Sequence, residues 1–157
     1  AFTRLYGRAP KNKRVKEGIK DVRFQRKSIV STMRLGGEMC PKTFSGTLNK
    51  ELFSAYIKVM LKPTFSAGDI LLLDNSSVHH SKLVIRTLEE CEIKYLFLPP
   101  YSPDFSPIEL FWSYMKSILR KIKARTHEKL ESGIKFVLEN IPQNYIENWF
   151  KHCVYVR

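Results

Sequence analysis

The run Asp69-Ile70-Leu71-Leu72-Leu73-Asp74-Asn75-Ser76-Ser77 is a short apolar stretch closed by an acid and a polar turn. That pattern predicts a buried strand delivering a carboxylate at its C-terminal end. A second strand, Ile93-Lys94-Tyr95-Leu96-Phe97-Leu98, stops at Pro99-Pro100. The chain then passes through Tyr101-Ser102-Pro103-Asp104-Phe105 into a helix whose first turn is Ser106-Pro107-Ile108-Glu109. Between the strands, Ser81 to Glu90 predicts a short helix with Leu83, Val84 and Leu88 inward. Strand, helix, strand, helix with such short connections implies parallel pairing. Asp74 and Glu109 then meet at the C-terminal edge of one sheet, where sites form in open α/β folds.

Each acid also has a plainer reading. Ser106 and Glu109, with Pro107 at the first helical position, make a capping box in which Glu109 only bonds back to the cap backbone. Asp74 can be an Asx-turn residue that ends a strand.

Outward from this core, Ser28 to Leu35 is rich in β-branched and apolar residues and halts at Gly36-Gly37, so Glu38 to Ser45 is expected to return as its hairpin partner. Asn49 caps a helix with Leu52, Phe53, Tyr56, Ile57, Met60 and Leu61 at helical spacing, ending before Pro63. The helix from Pro107 to about Lys123 carries Ile108, Phe111, Trp112, Met115, Ile118, Leu119 and Ile122 on one face, a core stripe rather than a base-stacking platform. Its other face holds Glu109, Ser113, Lys116 and Arg120, and no acid occurs between Leu110 and His127. Helices from Thr126 to Leu138 and from Pro142 to Phe150 complete the chain.

The 157 residues suit one domain able to bury about two-thirds of its unfolded surface. No apolar run approaches the ~20 residues that span a bilayer, and the basic, polar start is unlike a signal peptide, so no membrane partner is expected. Cys40, Cys91 and Cys153 are far apart and lack CxxC spacing, which suggests neither a disulfide framework nor a zinc site and fits a reducing compartment. The net charge of +12 is uneven: residues 1–27 hold ten Lys or Arg against Glu17 and Asp21. A nucleic-acid or other polyanion partner follows, with a merely solvated basic arm as the alternative. Arg4, Arg8, Lys11, Lys13 and Arg14 in the arm, with Lys116 and Arg120 beside Glu109, are the candidate DNA-binding residues.

The strings LLLDNSSVHHSK and FLPPYSPDFSPIELFWSYMK resemble the catalytic core of DDE transposases of the mariner superfamily, particularly the bacterial insertion-sequence type. The family spaces its second and third acids by 34 residues, as Asp74 and Glu109 are spaced here. The resemblance extends to RLYGRAP (Arg4 to Pro10), GTLN (Gly46 to Asn49) and NWFKHCVY (Asn148 to Tyr155), with Ser106 for the usual Asn and Val154 for the usual Gly. It implies a single ribonuclease-H-like catalytic domain over residues 1–157, an α/β fold of mixed sheet with flanking helices in which residues 1–25 form an arm or loop. It further implies DNA strand cleavage and strand transfer by two-metal chemistry, with Asp74 and Glu109 as catalytic metal ligands, Mg²⁺ or Mn²⁺ as cofactor, and Asn75 and His79 as support. The partners implied are transposon ends and target DNA, with a homodimer or a complementing upstream fragment. The location implied is the bacterial cytoplasm and nucleoid, or the nucleus in a eukaryotic host.

The family's first catalytic Asp lies on a central strand just upstream of the RLYGRAP-like stretch, and this sequence starts at Ala1. Asp21 follows that stretch, without an apolar strand around it, and is not a substitute. The expectation is therefore a fold with its first strand missing, a hairpin poorly joined to the parallel strands, and a chain inactive by itself. A non-catalytic DNA-binding or dimerisation fragment is the alternative.

Overall fold

A computed structural model describes residues 8–16, 27–100, 102–124 and 126–155. Strands β1 (Lys27–Val30) and β2 (Lys42–Ser45) pair antiparallel, with Lys27 opposite Ser45 and Val30 opposite Lys42. The same register continues to an isolated bridge between Met33 and Met39. The regular ladder lapses where Pro41, which has no N–H to donate, faces Ser31. The tip is a three-residue loop, Leu35-Gly36-Gly37, with Arg34 N bonded to Glu38 O and Gly37 at φ 94°, a conformation glycine adopts without steric cost.

Helix α1 (Lys50–Tyr56) starts at Asn49, whose side chain accepts from Leu52 N at 2.8 Å. The continuous helix expected up to Pro63 instead changes winding: Ile57–Leu61 is a π-helical turn and Lys62–Thr64 a 3₁₀ turn. Pro63, with no N–H, falls where the ladder would have to continue. Phe53, Tyr56, Ile57 and Leu61 are buried, whereas Leu52, expected inward, is exposed. The buried Tyr56 hydroxyl donates to Cys40 O at 2.6 Å, tying α1 to the hairpin, and burial pushes its pKa well up.

Strands β3 (Leu71–Leu73) and β4 (Tyr95–Phe97) pair in parallel, Leu71 beside Tyr95 and Leu73 beside Phe97, with α2 (Lys82–Glu90) as the crossover. Ser81 caps α2 through Val84 N at 3.3 Å. Val84, Thr87 and Leu88 face the core, and Leu83, expected there, is exposed. Thr87 is tolerated inside because its hydroxyl donates to Leu83 O at 2.8 Å.

The chain ends in α3 (Pro107–Lys121), α4 (His127–Glu139) and α5 (Gln143–His152). Phe111, Met115 and Leu119 form the buried stripe of α3, and Ile122 at its end is exposed. Phe111 and Trp112, expected as core aromatics, pack on each other, and Phe111 packs on Trp149, whose ring also meets Tyr114 and the exposed Tyr145. Gly133 lets α4 approach α3, since a Cβ there would lie 2.7 Å from the tips of Leu119 and Ile122.

Two apolar clusters meet at β1. Val30 packs with α1, α2, β3 and β4, while Ile29, Met33 and Met39 pack with α3, α4 and α5. The alternation of Ile29 and Val30 thus places one helical layer on each face of β1. The strand types are mixed, as expected, but among the described residues they form two separate two-stranded sheets. One cavity is lined by Ile29 and Val30 of β1 and by Leu71, Leu72 and Leu73 of β3.

Helices α2, α3 and α5 end alike. Ile93 N bonds Leu88 O at 3.0 Å, Ala124 N bonds Leu119 O at 3.1 Å and Tyr155 N bonds Phe150 O at 3.0 Å. Each bond spans a left-handed residue, Glu92, Lys123 or Val154, at φ 57°, 50° and 65°. This is the Schellman motif, normally built on glycine. A β-branched side chain is the least suited to that conformation. Val154→Gly is therefore expected to stabilise the chain by about 1 kcal/mol, read as a higher urea midpoint at unchanged slope; an unchanged or lower midpoint would contradict the strain.

Candidate active site at the ends of the parallel strands

Asp74 follows β3 directly and is exposed, with its carboxylate held from one side. Its Oδ1 accepts from Ser76 N at 2.9 Å and from His79 Nδ1 at 2.7 Å. Nδ1 is the donor, because an ionised carboxylate only accepts. The His79 ring packs on Phe53 at 4.5 Å between centroids, so α1 anchors the histidine that orients the acid. Asp74 Oδ2 takes no hydrogen bond among the described residues. The Asx turn read from the sequence exists, but it does not account for His79.

The hydrogen bond from His79 holds the Asp74 carboxyl below its usual 3.8, with the Ser76 N–H assisting and partial burial opposing. Asp74 is thus an anion at neutral pH.

Glu109 lies in the first turn of α3 and is exposed. The capping box is not formed: Ser106 makes no side-chain cap bond. Among the described residues the Glu109 carboxylate has neither a hydrogen bond nor an ion pair. Glu109 and Asp74, with Ser76 and His79, line one cavity of about 630 Å³. At its other end Arg34 pairs with Asp69 and donates to Thr64 O at 2.7 Å, bridging the hairpin to the segment before β3. Among the described residues no three His, Cys, Asp or Glu side chains converge as a metal-ligand group. The described part of the site therefore offers two carboxylates, hard oxygen donors of the type Mg²⁺ or Mn²⁺ takes.

Of the cationic candidates, Arg8, Lys11, Lys13 and Arg14 are exposed in a segment turned at Asn12, where Lys13 N bonds Pro10 O at 3.0 Å. Lys116 is exposed and Arg120 half-buried on the stripe of α3 that begins at Glu109. Arg4, with Glu17 and Asp21, lies outside the described residues.

Three features escaped the sequence reading. Asn75 Nδ2 donates to Leu98 O, and Asn75 Oδ1 faces His80 Nε2 at 2.9 Å. The His80 ring stacks on Phe97 at 4.0 Å. Tyr155 Oη donates to Phe105 O at 2.8 Å, tying the chain's end to the turn before Glu109. The His79-His80 doublet was the visible signal for the second, but nothing local links Tyr155 to Phe105.

Because Asp74 has a lowered pKa in the folded chain, the stability its ionised form contributes is complete above 3.8 and is lost as pH falls through the lowered value. A ¹³C NMR titration of the Asp74 carboxyl is expected to give a midpoint below 3.8, and His79→Phe is expected to raise it. A midpoint at or above 3.8 in the unaltered chain would refute the role of His79.

A family model described as DDE superfamily endonuclease matches residues 1–131. No curated protein matches the chain. Among solved structures, the Mos1 strand transfer complex superposes with a TM-score of 0.73 at 16% identity, over 98% of this chain and 50% of that one. The Mos1 transposase paired-end complex with left transposon end gives 0.69 at 16% identity over the same shares. The Mos1 mariner paired-end complex with Mn gives 0.63 at 15% identity, again over 98% and 50%. The chain spans about half the length of these proteins, and the likeness establishes the ribonuclease-H-like fold expected from the sequence. With the family model covering most of its length, the chain belongs to the DDE superfamily endonucleases.

Proposed function

We propose that this chain is part of a transposase that cuts and joins DNA strands, with Asp74 and Glu109 as two of its metal-holding acids. The carrying observation is that these carboxylates, with 34 residues between them in sequence, line one cavity, Asp74 directly after β3 and Glu109 in the first turn of α3. A divalent ion held between carboxylates activates the attacking oxygen and neutralises the leaving one in phosphodiester chemistry. Asp74 would contribute Oδ2, since Oδ1 is committed to Ser76 and His79. Glu109 would contribute an unpaired carboxylate from the first turn of α3, and Mg²⁺ commonly needs no more than one or two protein carboxylates beside water and phosphate.

The cationic residues fit a phosphodiester substrate. Lys116 and Arg120 follow Glu109 by roughly 10 Å and 16 Å along α3, a stripe that can accompany a DNA backbone. Arg8, Lys11, Lys13 and Arg14, and by resemblance Arg4, would add sequence-independent phosphate contacts. The third acid of the family is proposed to come from an extended segment paired between β1 and β3, where both strands line the cavity. A second copy of the chain is the proposed partner in assembly, and the cytoplasm or nucleus the proposed location.

Two measurements test this. Binding to duplex DNA should weaken linearly in log affinity against log salt, with little sequence preference; equal affinity at low and high salt would contradict it. In a supercoiled-plasmid nicking assay with Mg²⁺ or Mn²⁺, the 157-residue chain is expected to be inactive. A longer form carrying an upstream Asp-bearing strand is expected to nick. Asp74→Asn or Glu109→Gln in that form should lower the rate at least a hundredfold. Indifference to both changes would remove the mechanism, and a longer form that binds DNA but never nicks would favour the non-catalytic DNA-binding fragment.

A further inference from the structure

The backbone ladder between β3 and β4 ends at Leu98, whose N–H donates to Leu73 O at 2.8 Å. The Asn75 backbone N–H makes no bond to Leu98 O among the described residues, and no later bond can come from the N–H groups of Pro99 and Pro100, which have none. The Asn75 side chain supplies a further rung by donating Nδ2 to Leu98 O. Leu98 is thus bound through both its N–H and its carbonyl to residues flanking Asp74.

Asn75 can serve this way only if its amide is oriented with nitrogen toward Leu98. The Leu98 carbonyl, which only accepts, fixes that orientation, and His80 braces it: with Asn75 Nδ2 engaged, the group facing His80 Nε2 at 2.9 Å is the amide oxygen, so Nε2 carries the proton and donates. The imidazole is itself fixed by stacking on Phe97, the last residue of β4, at 4.0 Å and 18° between planes. Two consecutive histidines therefore hold two consecutive residues five positions earlier, His79 holding Asp74 and His80 holding Asn75.

We propose that Asn75 and His80 form a side-chain clamp across the ends of β3 and β4 that sets the separation of Asp74 from Glu109, with His80 a positioning residue for the acid pair. Leu98 begins the segment that leads through the 3₁₀ turn Pro103–Phe105 to Glu109. Its far end is held by Tyr155 at Phe105 O. Loss of the clamp leaves the near end held only by the bond from Leu98 N–H to Leu73 O, so that Glu109 no longer keeps a constant distance from Asp74. The functional consequence rests on the reading of Asp74 and Glu109 as metal-holding acids; the clamp itself does not.

The test has two readouts on the full chain. In hydrogen–deuterium exchange, His80→Ala is expected to speed exchange about tenfold in peptides covering residues 95–109, with peptides of α1 and α2 unchanged. His80→Phe keeps a ring for Phe97 but lacks the donor, and is expected to behave as His80→Ala. Asn75→Ala should match them, and the Asn75→Ala, His80→Ala pair should add nothing further. His80→Phe exchanging like the unaltered chain would show that the ring only packs, and would overturn the clamp. The second readout is Mn²⁺ affinity by electron paramagnetic resonance, expected to fall about tenfold or more in His80→Ala and His80→Phe. Unchanged affinity in those variants, with Asp74→Asn and Glu109→Gln weakening it, would overturn the positioning role. Unchanged affinity in all four variants would instead refute the metal reading and leave exchange to decide the clamp.

Discussion

Everything at the candidate site depends on three parallel backbone pairs, Leu71 with Tyr95, Leu72 with Leu96 and Leu73 with Phe97. Parallel pairing puts the C-terminal ends of both strands on one side, so Asp74 and the segment toward Glu109 leave the sheet together. Antiparallel pairing would have sent them to opposite ends. The parallel direction is imposed by α2, whose buried Val84 and Leu88 share one core cluster with Leu71 and Leu73. So short a ladder relies on its surroundings: Leu71 and Leu73 face the core, while Leu72 and Leu96 between them remain exposed.

The hairpin is held by different means. Tyr56 ties it to α1 through the Cys40 carbonyl, Lys27 pairs with Glu131 of α4 at 2.6 Å, and Gln143 of α5 donates to Leu35 O at 3.3 Å. Arg34 joins the hairpin to Asp69, ahead of β3. The two pairs of strands are thus fastened to each other by side chains and helices rather than by a backbone ladder. The cavity that β1 and β3 line runs from the Arg34–Asp69 pair to the two acids.

Local rules were strong where one residue decides one bond. Asn49, Ser81 and Thr126 each cap the helix that follows, and Gly37 takes the left-handed turn of the hairpin. They failed where a distant contact decided. Leu83 fits the apolar period of α2 but is exposed, because the core side is filled by Val84, Thr87 and Leu88, and Thr87 brings its own hydrogen bond. Ser106 and Glu109 match a capping box and do not form one. The exposed Glu109 carboxylate lines the cavity instead.

The order of elements, the parallel direction of β3 and β4, the placement of Asp74 at a strand end and of Glu109 in the first turn of a helix, and the basic character of the first residues were all legible in the amino-acid sequence. Each follows from periodicity, turn chemistry, spacing or charge, which act over a few residues or sum over many. Tertiary structure alone decided that Asp74 is oriented by His79 against Phe53, and that Asn75 and His80 close the ladder at Leu98. It also decided that Tyr155 grips Phe105 and that β1 and β3 line a shared cavity rather than pair. Those contacts join residues whose separation along the chain carries no period, so only the folded packing brings their donors and acceptors together.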